Sequence, residues 1–399
     1  MILELPKRTE HIGSVRLHDI QKVYELDSGS SRFDTKAREA VATISRDDID
    51  LVNRRMAIVV PVKDEKSRLL EGVLSGIPHD CSVIVISNSA RTPVDRFETE
   101  KQIIREFNHF VQDDILLIHQ QDPGLSAAFR DTGFSSILDE SGSVRNGKAE
   151  GMFTGILLAK MMGKEFVGFI DSDNYVPGAV HEYVEIYGAG FLMSESPYSM
   201  VRVSWVNKPK VAEDKLQFPK WGRVSEVSNQ WLNRVVEGLT GFGTDVIKTG
   251  NSGEHAMSIR LAELLYYATG FAVEPFEIIN ILEQFGGISP PVHPEPMTSG
   301  VDIFQVETRN PHLHEEKGDG HIEEMLQSSV GAIYTSPICP KAVRESILSA
   351  DIGGTESGKP RIEYSTPVKI KPPIEVNLEK FTEILKRESR TMTWFDESR

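Results

Sequence analysis

Four short apolar runs, separated by longer stretches with helical spacing, constrain the fold of this chain more than any other feature. The runs are residues 56–62 (MAIVVPV), 82–87 (SVIVIS), 115–118 (ILLI) and 166–170 (FVGFI). Such runs, rich in β-branched residues, are typical of strands buried on both faces. Apolar residues recur at helical spacing in the stretches 65–75, 96–109 and 149–162. This alternation predicts a mainly parallel, doubly wound sheet with ligands bound beyond the carboxyl ends of its strands.

The rest of the chain divides into segments of different character. We expect a polar lead-in over residues 1–50, with one strand near Val15–Val23. Residues 197–253 hold three of the four tryptophans and are expected to form an elaborated insertion over the sheet. Four prolines among glycines and serines predict an irregular loop at 286–300. We also expect a strand at 302–308 and helices at 319–335 and 377–390.

Charge and cysteine content exclude several classes of protein. The formal net charge is -15, with 44 Lys and Arg against 59 Asp and Glu, so the surface repels nucleic acid and anionic lipid. Cys81 and Cys339 are the two cysteines, far apart and without metal-ligand spacing, which argues against a disulfide framework or a thiolate zinc site. With no secretory leader and no apolar run of about 18 residues, we expect a cytoplasmic enzyme.

The segment EFVGFIDSDNYVPGAV carries the sharpest chemical signal. An apolar strand ends at Ile170, and Asp171 and Asp173 follow at i and i+2, on one side of the chain while it stays extended. Two carboxylates at the end of a strand can hold a hard divalent cation, which in turn neutralises a diphosphate. A turn whose aspartates only cap the next helix stays open as an alternative.

Two other acidic motifs fit this segment less well. A phosphatase of the haloacid dehalogenase type wants Thr or Val where Tyr175 stands. A calcium loop of the EF-hand type needs a further ligand and a glycine at its sixth position, and Tyr175 and Val176 occupy that part of the segment. We therefore favour a metal and diphosphate site over both alternatives.

Basic residues precede the helix that leads to these aspartates. In RNGKAEGM, Arg145 and Lys148 can offset phosphate charge, and Gly147 lets a backbone N–H group approach an anion at the helix N-terminus. The segment is not a Walker A loop. An exposed turn is the alternative, and the position relative to Asp171 favours phosphate binding.

Polar residues also follow the first two predicted strands. Pro61, Lys63 and Glu65 would face a nucleotide crevice, where a carboxylate accepts hydrogen bonds from a base edge. Ser87 and Asn88 take the same place after the second strand. A polar loop that starts a helix at Asp64 explains the first segment equally well.

A pair of histidines lies in ETRNPHLHEEKGDGH, after the strand expected at 302–308. His312 and His314 would point to one side of an extended chain, and neutral imidazole is a common metal ligand. A closed zinc site needs about four ligands, which this segment does not supply. One histidine could join Asp173 on a catalytic ion, and a solvated loop is the alternative.

The ordered set PVKDE, GKAEG, DSDNYVPGAV, WGRVS and ETRNPHLHEEKG resembles the mannosyl-3-phosphoglycerate synthase family, from about residue 11 to about residue 335. The resemblance implies a GT-A fold: a Rossmann-like, doubly wound mixed sheet with an elaborated acceptor region and a C-terminal extension. It implies metal-dependent transfer of mannose from GDP-mannose to 3-phospho-D-glycerate, with retention. Ala149 and Ser172 replace the Gly and Ala frequent in the family, which leaves room for a different sugar or acceptor.

The resemblance also implies roles for individual residues. Asp171 and Asp173 would be catalytic, and Asp173 would bind the metal together with either His312 or His314. The implied cation is Mg²⁺, with Mn²⁺, Co²⁺ or Zn²⁺ as alternatives. The donor-binding residues implied are Pro61, Val62, Lys63, Glu65, Ser87, Asn88, Lys148, Asp171 and Ser172. The acceptor-binding residues implied are Gly222, Arg223 and Ser225 of a GRVS element, and Thr249, Gly250 and Asn251 of a neighbouring wall.

The expected organisation follows from these positions. Residues 51–190 would form the nucleotide-sugar-binding half and 191–340 the acceptor- and metal-binding half, between the lead-in and a C-terminal extension over 341–399. The alternative enzymes are a glucosyl-3-phosphoglycerate synthase, a nucleotidyltransferase or, further away, a sugar-phosphate phosphatase. A sugar-nucleotide sensor without activity is the alternative from another class. A homodimer is left open.

Overall fold

The computed structural model describes residues 1–26, 40–174, 176–212, 215–313, 319–350, 364 and 366–395 of the 399-residue chain. Its strands are β1 (Ile2–Glu4), β2 (Thr9–Ile12), β3 (Val15–His18), β4 (Gln21–Glu25), β5 (Val41–Thr43), β6 (Met56–Val62), β7 (Ser82–Ser87), β8 (Ile115–His119), β9 (Phe166–Phe169), β10 (Ser199–Ser204), β11 (Lys210–Ala212), β12 (Lys215–Gln217), β13 (His255–Ser258), β14 (Tyr267–Ala268), β15 (Val301–Glu307), β16 (Lys369–Ile370) and β17 (Thr393–Trp394).

The helices alternate with the strands over much of the chain. They are α1 (Arg46–Asn53), α2 (Ser67–Gly76), α3 (Arg96–Val111), α4 (Pro123–Asp131), α5 (Lys148–Met161), α6 (Pro177–Met193), α7 (Arg223–Thr240), α8 (Ile259–Ala262), α9 (Val273–Phe285), α10 (Glu295–Ser299), α11 (Asp319–Thr335), α12 (Lys341–Ser349) and α13 (Leu378–Glu388).

One large sheet, in the order β17-β8-β7-β6-β9-β13-β10-β15-β4-β1-β5, forms the centre of the molecule. Strands β6, β7, β8 and β9 pair in parallel, and so do β10 and β15. β13 runs antiparallel to both of its neighbours, β9 and β10. The chain moves outward from β6 through β7 to β8 and then returns to the other side of β6 as β9. The strand order therefore reverses between β6 and β9, where doubly wound sheets bind their ligands.

Both faces of the sheet are covered, which explains why its strands are continuously apolar. On β6, Ala57 and Val59 belong to one buried cluster, whereas Ile58 and Val60 belong to the cluster on the opposite face. Helices α5, α9, α11 and α13 contribute to the first cluster, and α1, α2, α3 and α6 contribute to the second. The polar ends of the strands are therefore where this core can open to a ligand.

Small residues bring two of the helices close to the sheet. A Cβ atom at Gly155 of α5 would lie 2.6 Å from a methyl group of Val59, and one at Gly190 of α6 would lie 2.4 Å from a methyl group of Val201. Pro177 occupies the first turn of α6, where its missing N–H group costs no helical hydrogen bond. These contacts fix the two helices that begin beside the acidic turn after β9.

Residues near the two ends of the described chain border opposite edges of the sheet. β1 pairs with β4 and β5 at one edge. At the other edge β17 pairs antiparallel with β8, with Thr393 opposite Leu117. Asp122 Oδ2 anchors this second edge by accepting hydrogen bonds from Arg390 N (3.0 Å), Thr391 N (2.8 Å) and Thr391 Oγ1 (2.6 Å).

No helix of the described residues has the length and apolar character needed to cross a membrane.

The predicted elements are largely confirmed, with three corrections. The first is that the irregular loop expected at 286–300 contains the short helix α10. The runs at 56–62 and 82–87 coincide with β6 and β7, and the helix expected at 319–335 coincides with α11. The single strand expected near Val15–Val23 is wrong, because the chain breaks there into β3 and β4. The segment 197–253 is more than an insertion, because it supplies the buried strand β10 as well as helix α7.

Candidate active site

The acidic segment Asp171-Ser172-Asp173 lies at the reversal point of the sheet. Ile170 N still bonds to Val59 O of β6 (3.1 Å), but Ser172 and Asp173 form a turn. Asn174 Nδ2 stabilises this turn by donating to Asp171 O (2.8 Å). The expected extended arrangement of the two carboxylates is therefore wrong. Asp173 is buried, and the Asp171 side chain stays one-third exposed.

Lys148, the first residue of α5, lies between two carboxylates. Its ammonium contacts Asp171 Oδ1 at 2.7 Å and Glu274 Oε1 of α9 at 2.9 Å. Burial alone would lower the pKa of Lys148, but the two carboxylates outweigh it and raise that pKa well above its ordinary value. The side chain is therefore a permanent cation beside the acidic turn. Glu274 was missed in the sequence because no motif marks it and its contact with Lys148 joins residues far apart in the chain.

The loops expected to face the nucleotide do meet. Asn146 Oδ1 accepts hydrogen bonds from Lys63 Nζ (3.2 Å), after β6, and from Asn88 Nδ2 (2.6 Å), after β7. Gln120 at the end of β8 donates to the carbonyl oxygens of Arg145 (2.7 Å) and Gly147 (2.9 Å). Asn146 and Gln120 were not identified from the sequence. Asn146 follows Arg145, which was identified, and Gln120 lies just after the strand that was predicted at 115–118.

The other expected donor-binding residues differ in how far their side chains are exposed to solvent. Val62, Ser87 and Ser172 are buried, whereas Pro61 and Glu65 are half-buried. The Glu150 carboxylate lies against Gly147, where an added Cβ atom would come within 2.1 Å of Glu150 Oε2. Because this carboxylate lies beside the backbone of Gly147, Lys148 is a stronger candidate for binding phosphate than the Gly147 backbone is.

The segment that carries the expected acceptor wall contacts the acidic turn. A Cβ atom at Gly253 would lie 2.6 Å from Asp171 Oδ2 and 3.2 Å from Lys148 Nζ, so any larger residue would displace these side chains. The buried Glu254 carboxyl accepts a hydrogen bond from Asn174 Nδ2 (3.0 Å). Burial, together with the charge of Asp171, raises the pKa of Glu254 to about 8, so this carboxyl is largely protonated at neutral pH.

A fully buried arginine on β10 holds this wall from behind. Arg202 donates to Thr249 O (3.0 Å) and Gly250 O (3.4 Å), and to Glu277 Oε2 on α9 (3.2 Å). His255 Nε2 of β13 lies 3.1 Å from the same Glu277 oxygen. Burial lowers the pKa of Arg202, opposed by Glu277 and Glu274. Three elements of the core are thus joined beneath the segment 249–255.

A small pocket lies in front of this wall and receives several of the expected acceptor residues. It is lined by Val203, Ser204, Trp205, Trp221, Ser225, Lys248, Thr249, Asn251 and Ser252. Within the described residues, the buried atoms Ser204 Oγ, Asn251 Oδ1 and Trp221 Nε1 have no hydrogen-bond partner. Unpaired buried polar atoms are unfavourable, and a polar ligand bound in this pocket would satisfy them.

Three expected acceptor residues lie beside this pocket rather than in its lining. Gly222 is the N-cap of α7, and Arg223 is the exposed first residue of that helix. Gly250 faces the interior, where its N–H group donates to Asn229 Oδ1 (2.7 Å). Arg223 therefore lies on the exposed surface at the start of the helix that carries Ser225, whereas Gly250 supports the wall from the rear.

His312 is buried near the same region. Its ring stacks on Trp205 with centroids 4.4 Å apart, and its Nδ1 lies 3.4 Å from the Tyr183 hydroxyl. Lys208 Nζ lies 3.9 Å from the centroid of the same Trp205 ring. Burial lowers the pKa of Lys208, opposed by Glu254, Asp171 and Asp173. A protein cation therefore lies within electrostatic reach of these carboxylates. His314 lies outside the described residues.

The residues present fit a divalent ion that is shared with a diphosphate. No group of three or more His, Cys, Asp or Glu side chains in the described residues forms a complete metal site. Mg²⁺ is commonly held by one or two carboxylates together with substrate phosphates and water, so a complete protein cage is not required. Asp173 and His312 supply an oxygen and a nitrogen ligand of the right kind, and the carboxylates around Lys208 already attract a positive charge.

Solved structures of similar fold come from glucosyl-3-phosphoglycerate synthase of Mycobacterium tuberculosis. Its complex with Mn²⁺, UDP-glucose and phosphoglyceric acid aligns with a TM-score of 0.53 at 16% identity, covering 83% of this chain and 95% of that chain. Its complex with phosphoglyceric acid gives a TM-score of 0.52 at 17% identity, covering 82% and 94%. This likeness confirms the expected GT-A type of fold.

Sequence comparison extends over nearly the whole chain. A mannosyl-3-phosphoglycerate synthase of Pyrococcus furiosus is 42% identical over 400 residues, covering 99% of this chain and 100% of the relative. One of Aeropyrum pernix is 39% identical over 352 residues, covering 87% and 89%. The family model for mannosyl-3-phosphoglycerate synthase matches residues 5–385. The resemblance seen in the motifs is therefore confirmed, and the chain belongs to the mannosyl-3-phosphoglycerate synthase family.

Proposed function

We propose that this chain transfers mannose from GDP-mannose to 3-phospho-D-glycerate with retention, giving mannosyl-3-phosphoglycerate. One observation supports the proposal beyond family membership. The segment that contains Gly253 contacts the Lys148–Asp171 ion pair of the proposed donor region and also lines the polar pocket. Gly253 approaches Lys148 and Asp171, and Thr249 and Asn251, which precede it in the same segment, line the pocket. A donor and an acceptor bound there would be neighbours.

The donor region suits a nucleotide diphosphate sugar. Lys148 offers a permanent positive charge to the diphosphate, and Lys63, Glu65 and Asn88 line the loops where the base and ribose would lie. The sugar would be bound beside the acidic turn that holds Asp171 and Ser172. The diphosphate is the leaving group, and neutralising its charge favours departure.

The metal would be held by Asp173 and by His312 rather than His314. With Nδ1 of His312 directed to Tyr183, Nε2 is the nitrogen suited to bind an ion. When bound, a divalent cation, Mg²⁺ first among the candidates, would neutralise charge on the diphosphate.

The acceptor pocket suits a small anion with hydroxyl groups. Arg223 at the start of α7 would pair with the phosphate, and Ser225, Thr249 and Asn251 would bond to the remaining oxygens. In the proposed step the acceptor hydroxyl oxygen bonds to the anomeric carbon as the bond from that carbon to the phosphate oxygen breaks. The hydroxyl proton passes to the departing phosphate on the same face, which gives retention.

Nucleoside diphosphate release with defined substrate pairs tests this function. Purified protein with Mg²⁺ is offered GDP-mannose, GDP-glucose or UDP-glucose, each with and without 3-phospho-D-glycerate. We expect release with GDP-mannose that depends on the acceptor. Turnover confined to UDP-glucose, or phosphate release from mannosyl-3-phosphoglycerate without nucleotide, would contradict the proposal.

An Asp173→Asn variant tests the metal assignment. Loss of several kcal/mol of charge stabilisation predicts a fall in kcat/KM of about 100-fold or more, with an unchanged melting temperature. Asp139→Asn, in a turn far along the chain from this segment, is the control. Wild-type rates in the Asp173 variant would remove Asp173 from the site.

The remaining assignments are proposals of the same kind. We assign donor binding to residues 51–190 and acceptor and metal binding to 191–340. A cytoplasmic location is consistent with two cysteines that are both buried and unpaired as thiols. A homodimer is tested by sedimentation of the purified chain.

A further inference from the structure

Glu182 is a buried carboxylate on α6, the helix that begins directly after the acidic turn. It is completely shielded from solvent. Glu182 Oε1 accepts a hydrogen bond from Arg309 N (2.6 Å), and Oε2 accepts from Asn310 N (2.9 Å) and Asn310 Nδ2 (2.7 Å). All three donors belong to the short segment between β15 and His312. One carboxylate therefore fixes the backbone from which His312 extends.

Further contacts define where this segment leads. Thr308 Oγ1 donates to Asn310 O (2.6 Å), which closes a tight turn after β15. His312 N then donates to Asn207 O (3.0 Å). Tyr183, the residue after Glu182 on the same helix, contacts the His312 ring. Helix α6 thus holds both the backbone and the ring of this histidine.

The choice of a carboxylate at this position has a physical reason. Three N–H groups converge on Glu182, and only a group with acceptors on both oxygens can satisfy them all. A glutamine would turn its own NH₂ group toward at least one N–H donor. Burying a carboxylate is unfavourable unless its oxygens are hydrogen-bonded, and buried charges contribute little net stability. The presence of a buried glutamate at position 182 is therefore better explained by its positioning of residues 309–310 than by a contribution to the stability of the fold.

We infer that Glu182 is a positioning residue for His312 and so sets the affinity of the site for its divalent ion. This inference rests on the proposed function, because it takes His312 as the ligand. Residues that orient a metal ligand typically change metal affinity 10- to 100-fold when they are replaced. Glu182 would act through the backbone of 309–310 and would not touch the ion.

Binding of Mn²⁺ tests the inference without any need for turnover. The Kd for Mn²⁺ is measured by electron paramagnetic resonance in the presence of GDP, for wild type and Glu182→Gln. We expect Mn²⁺ binding to weaken by about tenfold or more, while GDP binding without metal changes less than twofold. In the transfer assay, excess metal should restore much of the lost rate.

Glu185→Gln is the matched control. Glu185 is buried on the same helix but pairs with Arg46 of α1 (3.0 Å), away from the 309–312 segment. We expect unchanged Mn²⁺ affinity in this variant, whatever happens to its melting temperature. Unchanged Mn²⁺ affinity in folded Glu182→Gln, or an equal loss in both variants, would overturn the inference.

Two further variants cover the remaining outcomes. If Glu182→Gln does not fold, Asn310→Ala removes one of the three hydrogen bonds, and we expect Mn²⁺ binding about fivefold weaker; unchanged binding would overturn the inference. In His312→Ala we expect Mn²⁺ affinity to be lost, and its retention would also overturn the inference. If the wild type binds Mn²⁺ through His312 but transfers no mannose, the proposed function fails and the role of Glu182 stands.

Discussion

At the scale of single residues, the site depends on charged side chains that lie in close contact with one another and with the backbone. Lys148 lies between Asp171 and Glu274, and Gly253 leaves just enough room for that arrangement. Lys148 and Asp171 could be proposed from their motifs. Glu274 and Gly253 could not, because their roles arise from contacts with residues far away in the sequence.

Gly253→Ala should disturb the donor region with little effect on the fold. The added methyl group would come within 2.6 Å of Asp171 Oδ2, so the carboxylate and its partner Lys148 must move. Displacement of a catalytic group by about 1 Å can cost about 100-fold in rate. We expect kcat/KM to fall by about that amount, measured by GDP release.

Gly243→Ala is the control for this variant, since the nearest atom to its Cβ is 3.9 Å away. Its rate and melting temperature should match the wild type. Full activity in Gly253→Ala would show that the approach between 253 and 171 has no part in catalysis.

Glu254 should make the stability of the protein depend on pH. In an unfolded chain a glutamate ionises near pH 4.3, whereas the pKa of Glu254 in the fold is raised to about 8. Between these values the native state holds a proton that the unfolded state has lost. The contribution of Glu254 is therefore complete below about pH 4 and is lost as pH rises through about 8, at about 1.4 kcal/mol per pH unit.

Glu254→Gln cannot titrate and can still accept from Asn174. The free energy of unfolding of the variant, relative to wild type, should therefore rise between pH 5 and pH 8 and level off above. Urea unfolding at several pH values, without metal or nucleotide, measures this difference. A difference that stays constant with pH would mean that the carboxyl is already ionised in the fold.

At the scale of secondary structure, predictability follows burial. β6 and β7 were predicted to the residue because strands covered on both faces are continuously apolar. β13, with the sequence HAMS, carries no such signal, and its antiparallel place between β9 and β10 is set by the sheet around it. β10 was likewise not predicted, because the charged Arg202 interrupts its apolar pattern. His255 and Arg202, the least strand-like of these residues, pair with Glu277 in the core.

Arg202→Leu tests that connection between β10, β13 and α9. The substitution removes Arg202 from the Thr249 carbonyl and from the Glu277 carboxylate, to which only His255 then remains close among the contacts described above. Breaking a buried ion pair typically costs about 3–5 kcal/mol, so we expect a loss of that size in the free energy of unfolding. Arg105→Leu, on the exposed face of α3, should change stability by less than about 0.5 kcal/mol. Equal stability of the Arg202 variant and wild type would contradict a structural role for the pair.

At the scale of the whole molecule, one sheet unites both proposed halves, and segments from either end of the chain close its edges. The mainly parallel, doubly wound character of the sheet followed from the alternation of strands and helices, but the order of its strands did not. The pairing of β17 with β8 did not, because a two-residue strand carries almost no sequence signal and its partner lies far back in the chain.

Asp122→Ala should loosen the β8 edge of the molecule. It removes the acceptor for Arg390 N, Thr391 N and Thr391 Oγ1, each hydrogen bond being worth about 1 kcal/mol. We expect a loss of about 2–4 kcal/mol in the free energy of unfolding, and faster amide exchange at residues 390–395 by mass spectrometry. Protection of 390–395 equal to the wild type would show that α13 holds this segment without Asp122.

The late position of β17 also matters while the protein is being made. As the chain emerges from the ribosome, β8 is complete long before residue 393 has been synthesised. The backbone groups of its outer edge therefore stay without their partner until residues 393 and 394 have been made. During that interval they can pair with another nascent chain, so a lower level of expression, which keeps fewer such chains together, should favour the monomeric sheet over aggregates.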